Sequence, residues 1–190
     1  VSSSQSSTPA ARIAFVVFAL ILAGLGLTLG MRLRGRTASP SLQEALVVPP
    51  KLAPGNTFPD APVQTEDGET RMTRALLEGK GGVVIFVDVE CAPCSVMTRR
   101  YQDALDHGGL AAVPVLGISA APLDAIRSYR AAKGLTFPVY CDATSAFARE
   151  YGVASYPLLL VVGRSLTIRS FTYDSRSPIE PDRLLGEIER

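Results

Sequence analysis

The hydrophobic pattern divides the chain into two unlike parts. From Ile13 to Met31 every residue is uncharged and nearly all are apolar. That run predicts a membrane-spanning helix, because about 20 apolar residues cross a bilayer core and a buried core helix is seldom apolar on all faces. Beyond Gly55 the apolar residues fall into short runs separated by turn residues, as in a folded α/β domain. Strands are predicted over residues 82–87, 113–118, 137–140 and 158–162. Helices are predicted where apolar residues recur every three or four positions. Val96, Met97, Tyr101 and Leu105 mark one, and Leu123, Ile126 and Tyr129 a second that Pro122 opens and Gly134 stops. Residues 144–151 and 179–189 make two more, the last carrying Leu184, Leu185 and Ile188. Asp67-Gly68 signals a hairpin turn, residues 73–77 one capped helical turn, and residues 166–173 a strand joined to 158–162 through Gly163-Arg164-Ser165. This order predicts a mixed central sheet, with a parallel core and an antiparallel edge, and helices on both faces.

The remaining segments complete the expected organisation. Residues 1–11 are serine-rich without hydrophobic period and read as a disordered tail. Residues 12–31 are the anchor, residues 32–53 a proline-rich linker with Pro40, Pro49 and Pro50, and residues 54–190 the folded domain. A cleavable signal peptide is the rival reading of the apolar run, which is long for that role. Arg32, Arg34 and Arg36 follow the span and only Arg12 precedes it. The positive-inside rule alone therefore puts the domain in the cytoplasm. A net charge of +1 with interspersed signs argues against a nucleic-acid partner.

The chemistry concentrates in Cys91-Ala92-Pro93-Cys94, two of only three cysteines in the chain. The motif sits between a predicted strand and a predicted helix. There, free backbone N–H groups and the helix dipole stabilise a thiolate on the first cysteine. Cys91 is then the nucleophile and Cys94 the resolving thiol, while Pro93 suits a first helical turn. Cys-x-x-Cys alone leaves zinc and redox chemistry open. Cys141 and the single histidine, His107, bring the possible zinc donors to four, but without a second paired motif. Burial favours a structural role for Cys141 over a third redox thiol. His107 is placed to meet the C-terminal dipole of its helix.

Together with Leu116-Gly-Ile-Ser119 and the run from Tyr151 through Tyr156-Pro157 to Val162, the motif resembles the thioredoxin superfamily. Pro54-Gly-Asn-Thr-Phe-Pro-Asp-Ala-Pro62 and the extra helix and strand before Pro157 narrow this to the membrane-anchored TlpA and ResA type, also called redoxin or peroxiredoxin-related. The resemblance implies a thioredoxin-like fold and a thiol-disulfide oxidoreductase whose only redox group is a Cys91–Cys94 disulfide. It implies a cis Pro157 lying against that disulfide and Tyr156 facing substrate. It also implies a disulfide-containing client protein, with apocytochromes awaiting haem as one client class, an upstream dithiol donor, and a soluble domain outside the cytoplasm.

Departures from the family pattern shape the expectation further. Glu90 replaces the usual aromatic residue before the first cysteine, and Ile85 stands where thioredoxin keeps a buried acid. Asp88 and Glu90 are the substitute proton acceptors for Cys94, provided that burial raises their affinity for a proton; otherwise they are solvated loop carboxylates. Acidic charge beside Cys91 opposes its ionisation and favours a reductant over a strong oxidant of the DsbA class. A thiol peroxidase meets Val84 and Asp88 where peroxiredoxins have proline and threonine. A redox-inactive or metal-holding binding module is the alternative from another class.

Overall fold

The computed structural model describes residues 49–177 and 179–190. The predicted tail and anchor, and residues 32–48 of the linker, lie outside the described residues. Seven strands form one sheet in the order β2-β1-β5-β4-β3-β6-β7. They are β1 Pro62–Gln64, β2 Thr70–Met72, β3 Gly82–Phe86, β4 Val115–Ser119, β5 Val139–Cys141, β6 Leu158–Val162 and β7 Ile168–Thr172. Among the described residues five α-helices accompany them: α1 Thr73–Leu77, α2 Ala92–Asp106, α3 Leu123–Lys133, α4 Ala146–Tyr151 and α5 Pro181–Glu189.

The three central strands β3, β4 and β5 are parallel. Antiparallel strands flank them on both sides, β6 and β7 next to β3 and the β1–β2 hairpin next to β5. The sheet is mixed, as expected, and the β1–β2 hairpin adds a second antiparallel flank to the one predicted. The hairpin joins through the long-range pair Gln64↔Cys141, which no local pattern announces. β3 is buried at all five positions, as a strand covered on both faces must be. Val83 and Ile85 meet Met97, Tyr101, Ile126, Tyr129, Leu184 and Ile188 from α2, α3 and α5. Val84 and Phe86 meet Leu77, Phe147 and Leu160 on the opposite face.

Several boundaries shift for identifiable reasons. The strand predicted over 137–140 runs from Val139 to Cys141, because Pro138 has no N–H for the ladder and only lends its carbonyl to Gly117. The helix predicted from 144 starts at Ala146, with Asp142 accepting from the N–H groups of Ala146 and Phe147 at 2.9 and 3.0 Å. The N-cap residue of α1, Met72, offers no capping side chain, and the Asp60 carboxylate from outside the helix accepts from the Arg74 N–H at 3.3 Å. Thr73 instead buries its hydroxyl to donate to the Pro59 carbonyl at 2.7 Å and accept from the Ala61 N–H. Residues 49–53, read as linker, are already part of the domain: Pro50–Leu52 form a 3-10 turn and Leu52 is fully buried. Gly134 ends α3 in the left-handed conformation at φ 62°, as its placement predicted.

Candidate active site

The site forms where β3, a central parallel strand, delivers its C-terminal end, the usual position for chemistry in α/β sheets. Val87 continues the pairing through its N–H to Ile118 O at 2.9 Å, and the chain then turns. The Cys91 N–H reaches Asp88 O at 3.1 Å, and the Asp88 carboxylate accepts from the Glu90 N–H at 2.9 Å. These bonds set Cys91 at the N-cap of α2, with Pro93 in the first turn where its missing N–H leaves no bond unmade.

Cys91 and Cys94 are joined as a disulfide with 5.2 Å between their Cα atoms. The two sulfurs differ sharply in environment. Cys94 is 0% exposed and packs with Ile85, Val87 and Met97, while Cys91 is half-buried at the surface. The Cys94 N–H donates to Cys91 Sγ at 3.1 Å, so the helix turns a free amide toward the more accessible sulfur.

The Tyr156–Pro157 peptide bond is cis, and Pro157 is buried. Tyr156 O lies 3.8 Å from Cys91 Sγ, which brings the loop before β6 against the disulfide. Burial pushes the Tyr156 phenol up from its ordinary value, and the negative charges of Asp88 and Asp142 push the same way, so the hydroxyl stays protonated at neutral pH. On the helix side of Cys91 the exposed residues are apolar: Ala92 and Pro93 are exposed, and Val96 keeps 45% of its surface in solvent.

Asp88 and Glu90 are both exposed. The burial on which their part in proton transfer depended is absent, and Asp88 holds the turn instead. Ile85 is fully buried in the same core cluster as Cys94, an apolar side chain at the position where the resemblance expects an acid. Cys141 is 3% exposed, within β5, and its thiol donates to Ala121 O at 3.2 Å. Burial, reinforced by Asp142, pushes that thiol up. Strand pairing puts Ser119 opposite Cys141, and Cys141 shares the core face of Val87 and Cys94. His107 is the C-cap of α2, with Nδ1 2.6 Å from Asp103 O. It stands thirteen positions along the helix from Cys94, about 20 Å, so the two cannot share a metal ion. Among the described residues no three His, Cys, Asp or Glu side chains group as metal ligands.

One feature escaped sequence reading. Thr98, one turn beyond Cys94, donates to Cys94 O at 3.0 Å and lies 2.8 Å from the Tyr129 hydroxyl, with both side chains buried. Thr98 and Tyr129 are thus a polar pin between α2 and α3. Their apolar-periodic positions gave a core assignment for Tyr129 and no signal for the bond.

The AhpC/TSA family model matches residues 54–171, well over half of the chain. No curated protein matches it. Among solved structures, a candidate protein disulfide isomerase from Bacteroides thetaiotaomicron is 19% identical with a TM-score of 0.61, covering 73% of this chain and 91% of its own. A secreted Mycobacterium tuberculosis disulfide oxidoreductase homologous to E. coli DsbE is 22% identical with a TM-score of 0.55, covering 68% of this chain and 94% of its own. A peroxiredoxin-like protein from Aquifex aeolicus is 16% identical with a TM-score of 0.59, covering 74% and 88%. At these identities the likeness is one of fold. The family match over residues 54–171 shows that the chain belongs to the AhpC/TSA family, and its fold is thioredoxin-like.

Proposed function

We propose that this protein reduces disulfides in client proteins through Cys91 and Cys94. The observation that carries the proposal is the asymmetry of the pair: an accessible Cys91 sulfur that accepts the Cys94 N–H at 3.1 Å, and a fully buried Cys94. In the reduced enzyme, Cys91 thiolate attacks a client disulfide, forming one mixed S–S bond and releasing one client thiolate. Cys94 thiolate then attacks Cys91 Sγ, closing the Cys91–Cys94 bond and releasing the second client thiolate. Two electrons pass to the client, and an upstream dithiol returns them. Tyr156 and Pro157, set against Cys91, are the proposed client contacts. The Tyr156 carbonyl offers a backbone acceptor beside the reacting sulfur.

Asp88 and Glu90 bring negative charge near Cys91, and the apolar Ile85 takes the place of the acid that would assist Cys94, which favours a reductant. The proposed setting is a membrane-tethered domain outside the cytoplasm, anchored through residues 13–31, a reading that rests on sequence and resemblance. A topology reporter fused after Arg190 decides it: activity only in the cytoplasm contradicts the extracytoplasmic placement.

The family match also supports a thiol peroxidase. There, peroxide oxidises Cys91 thiolate to a sulfenic acid, and Cys94 condenses with it, expelling water and forming the same disulfide. Insulin reduction and hydrogen peroxide consumption, measured side by side, separate the two. Insulin turnover that Cys91→Ala abolishes supports the proposal. Peroxide consumption without insulin turnover overturns it, as does bound metal with neither activity.

A further inference from the structure

Between α2 and α5, over β6 and β7, lies a cavity of about 300 Å³, the volume of about ten waters and the lower end of the range for ligand sites. Its apolar lining includes Met97, Leu159 and Leu184. Two buried polar side chains interrupt it. Tyr101 is 8% exposed, and its hydroxyl makes no hydrogen bond to another described residue. Glu187 is 7% exposed, with one carboxylate oxygen accepting from the Ser170 hydroxyl and the other from Arg183 Nε at 3.1 Å.

The charge on Glu187 is incompletely compensated. Its cationic partner Arg183 is 69% exposed, so water screens that pairing, while the carboxylate itself stands in a low-dielectric wall. Each oxygen has room for a second donor. Arg100, the other arginine at the cavity, spends Nη1 on Ser175 O at 3.3 Å, and Asp174 and Glu180 at the rim add further negative charge. Burial pushes Tyr101 up to about 12, with Arg100 opposing and Glu187 adding to the rise. Its hydroxyl is therefore a neutral group free to accept from a ligand. An anion entering here would meet the buried carboxylate, whereas a protonated amine would meet two acceptors and then an apolar bed.

We propose that this cavity is a second binding site, separate from the disulfide and independent of its redox role, for a small amphipathic amine whose nitrogen head sits between Tyr101 and Glu187 and whose apolar body lies over Met97 and Leu184. The chain has three methionines, Met31, Met72 and Met97, so methyl-labelled methionine places a probe in the cavity and an internal control on β2.

The full chain is titrated with phenethylamine and, separately, with 3-phenylpropionate, up to about 10 mM, a range that captures weak small-ligand affinities. Phenethylamine is expected to shift the Met97 methyl signal saturably and leave Met72 in place, with the carboxylate at least about tenfold weaker. Glu187→Gln should erase that preference, and Tyr101→Phe should weaken the amine by about three- to tenfold, the loss of one hydrogen bond. No Met97 shift, equal binding of the carboxylate, or a parallel shift of Met72 overturns the proposal. If Glu187→Gln does not fold, unchanged amine affinity in Tyr101→Phe overturns it.

Discussion

The backbone N–H of Cys94 points at the sulfur of Cys91 across 3.1 Å, within the four-residue motif that links them. In the disulfide this is a weak contact. Once the pair is reduced and Cys91 ionises, the same amide donates to an anion at the positive end of a 15-residue helix, where charge-assisted bonds are strongest. The helix therefore distinguishes two chemically identical thiols, and burial reinforces the distinction.

Alkylation should reveal that difference first. In the reduced protein, iodoacetamide is expected to modify Cys91 at least about tenfold faster than Cys94 or Cys141, which are 0% and 3% exposed. Mass spectrometry of partially labelled protein measures the ratio, and comparable labelling of Cys94 would contradict the assignment of the attacking sulfur.

The acidic turn should tune the couple. Removing the charge by Glu90→Gln is expected to make the disulfide more oxidising by on the order of 10 mV, small because Glu90 is exposed and screened. Equilibration with glutathione reads this. A shift in the opposite direction, or a wild-type potential as oxidising as about −120 mV, is incompatible with a reductant.

Cys141 is expected to be structural. Cys141→Ala removes the bond to Ala121 O and a buried sulfur, costing about 1–2 kcal/mol of stability while insulin turnover persists. Loss of turnover in a folded Cys141→Ala protein would make it a third redox thiol.

High pH should loosen the α2–α5 side of the fold. Tyr101 is raised by burial from 10.0 to about 12, so the folded state holds its proton more tightly than the unfolded chain does. Its contribution is complete below pH 10 and is lost as pH climbs to about 12, amounting to roughly 2–3 kcal/mol. Urea unfolding at pH 9 and pH 11.5 measures the loss, and Tyr101→Phe should reduce it. An identical alkaline loss in the variant would assign it to other groups.

Much of this architecture was legible in the residues because the signals were local. Leu158 to Val162 is a strand with the predicted ends, five apolar residues in a row bounded by Pro157 and Gly163. The Cys-x-x-Cys motif announced its own strand-to-helix junction. The features that escaped depend on contacts distant in sequence. The Gln64↔Cys141 pairing adds a second antiparallel flank, and the Thr98–Tyr129 bond joins two helices through polar atoms on otherwise apolar faces. The solvent exposure of Asp88 and Glu90 was one of the two alternatives legible in the sequence, and the turn that sets it is held in part by the Asp88 carboxylate.

The central claim, that Cys91 attacks and Cys94 resolves, meets its most direct test in the Cys94→Ser chain. That variant can form the mixed disulfide but cannot close it, so it should accumulate covalent adducts with a disulfide-bearing client such as insulin, linked through Cys91 and released by dithiothreitol. Adducts linked through Cys141, or none at all from a folded protein with a free Cys91 thiol, would contradict the mechanism.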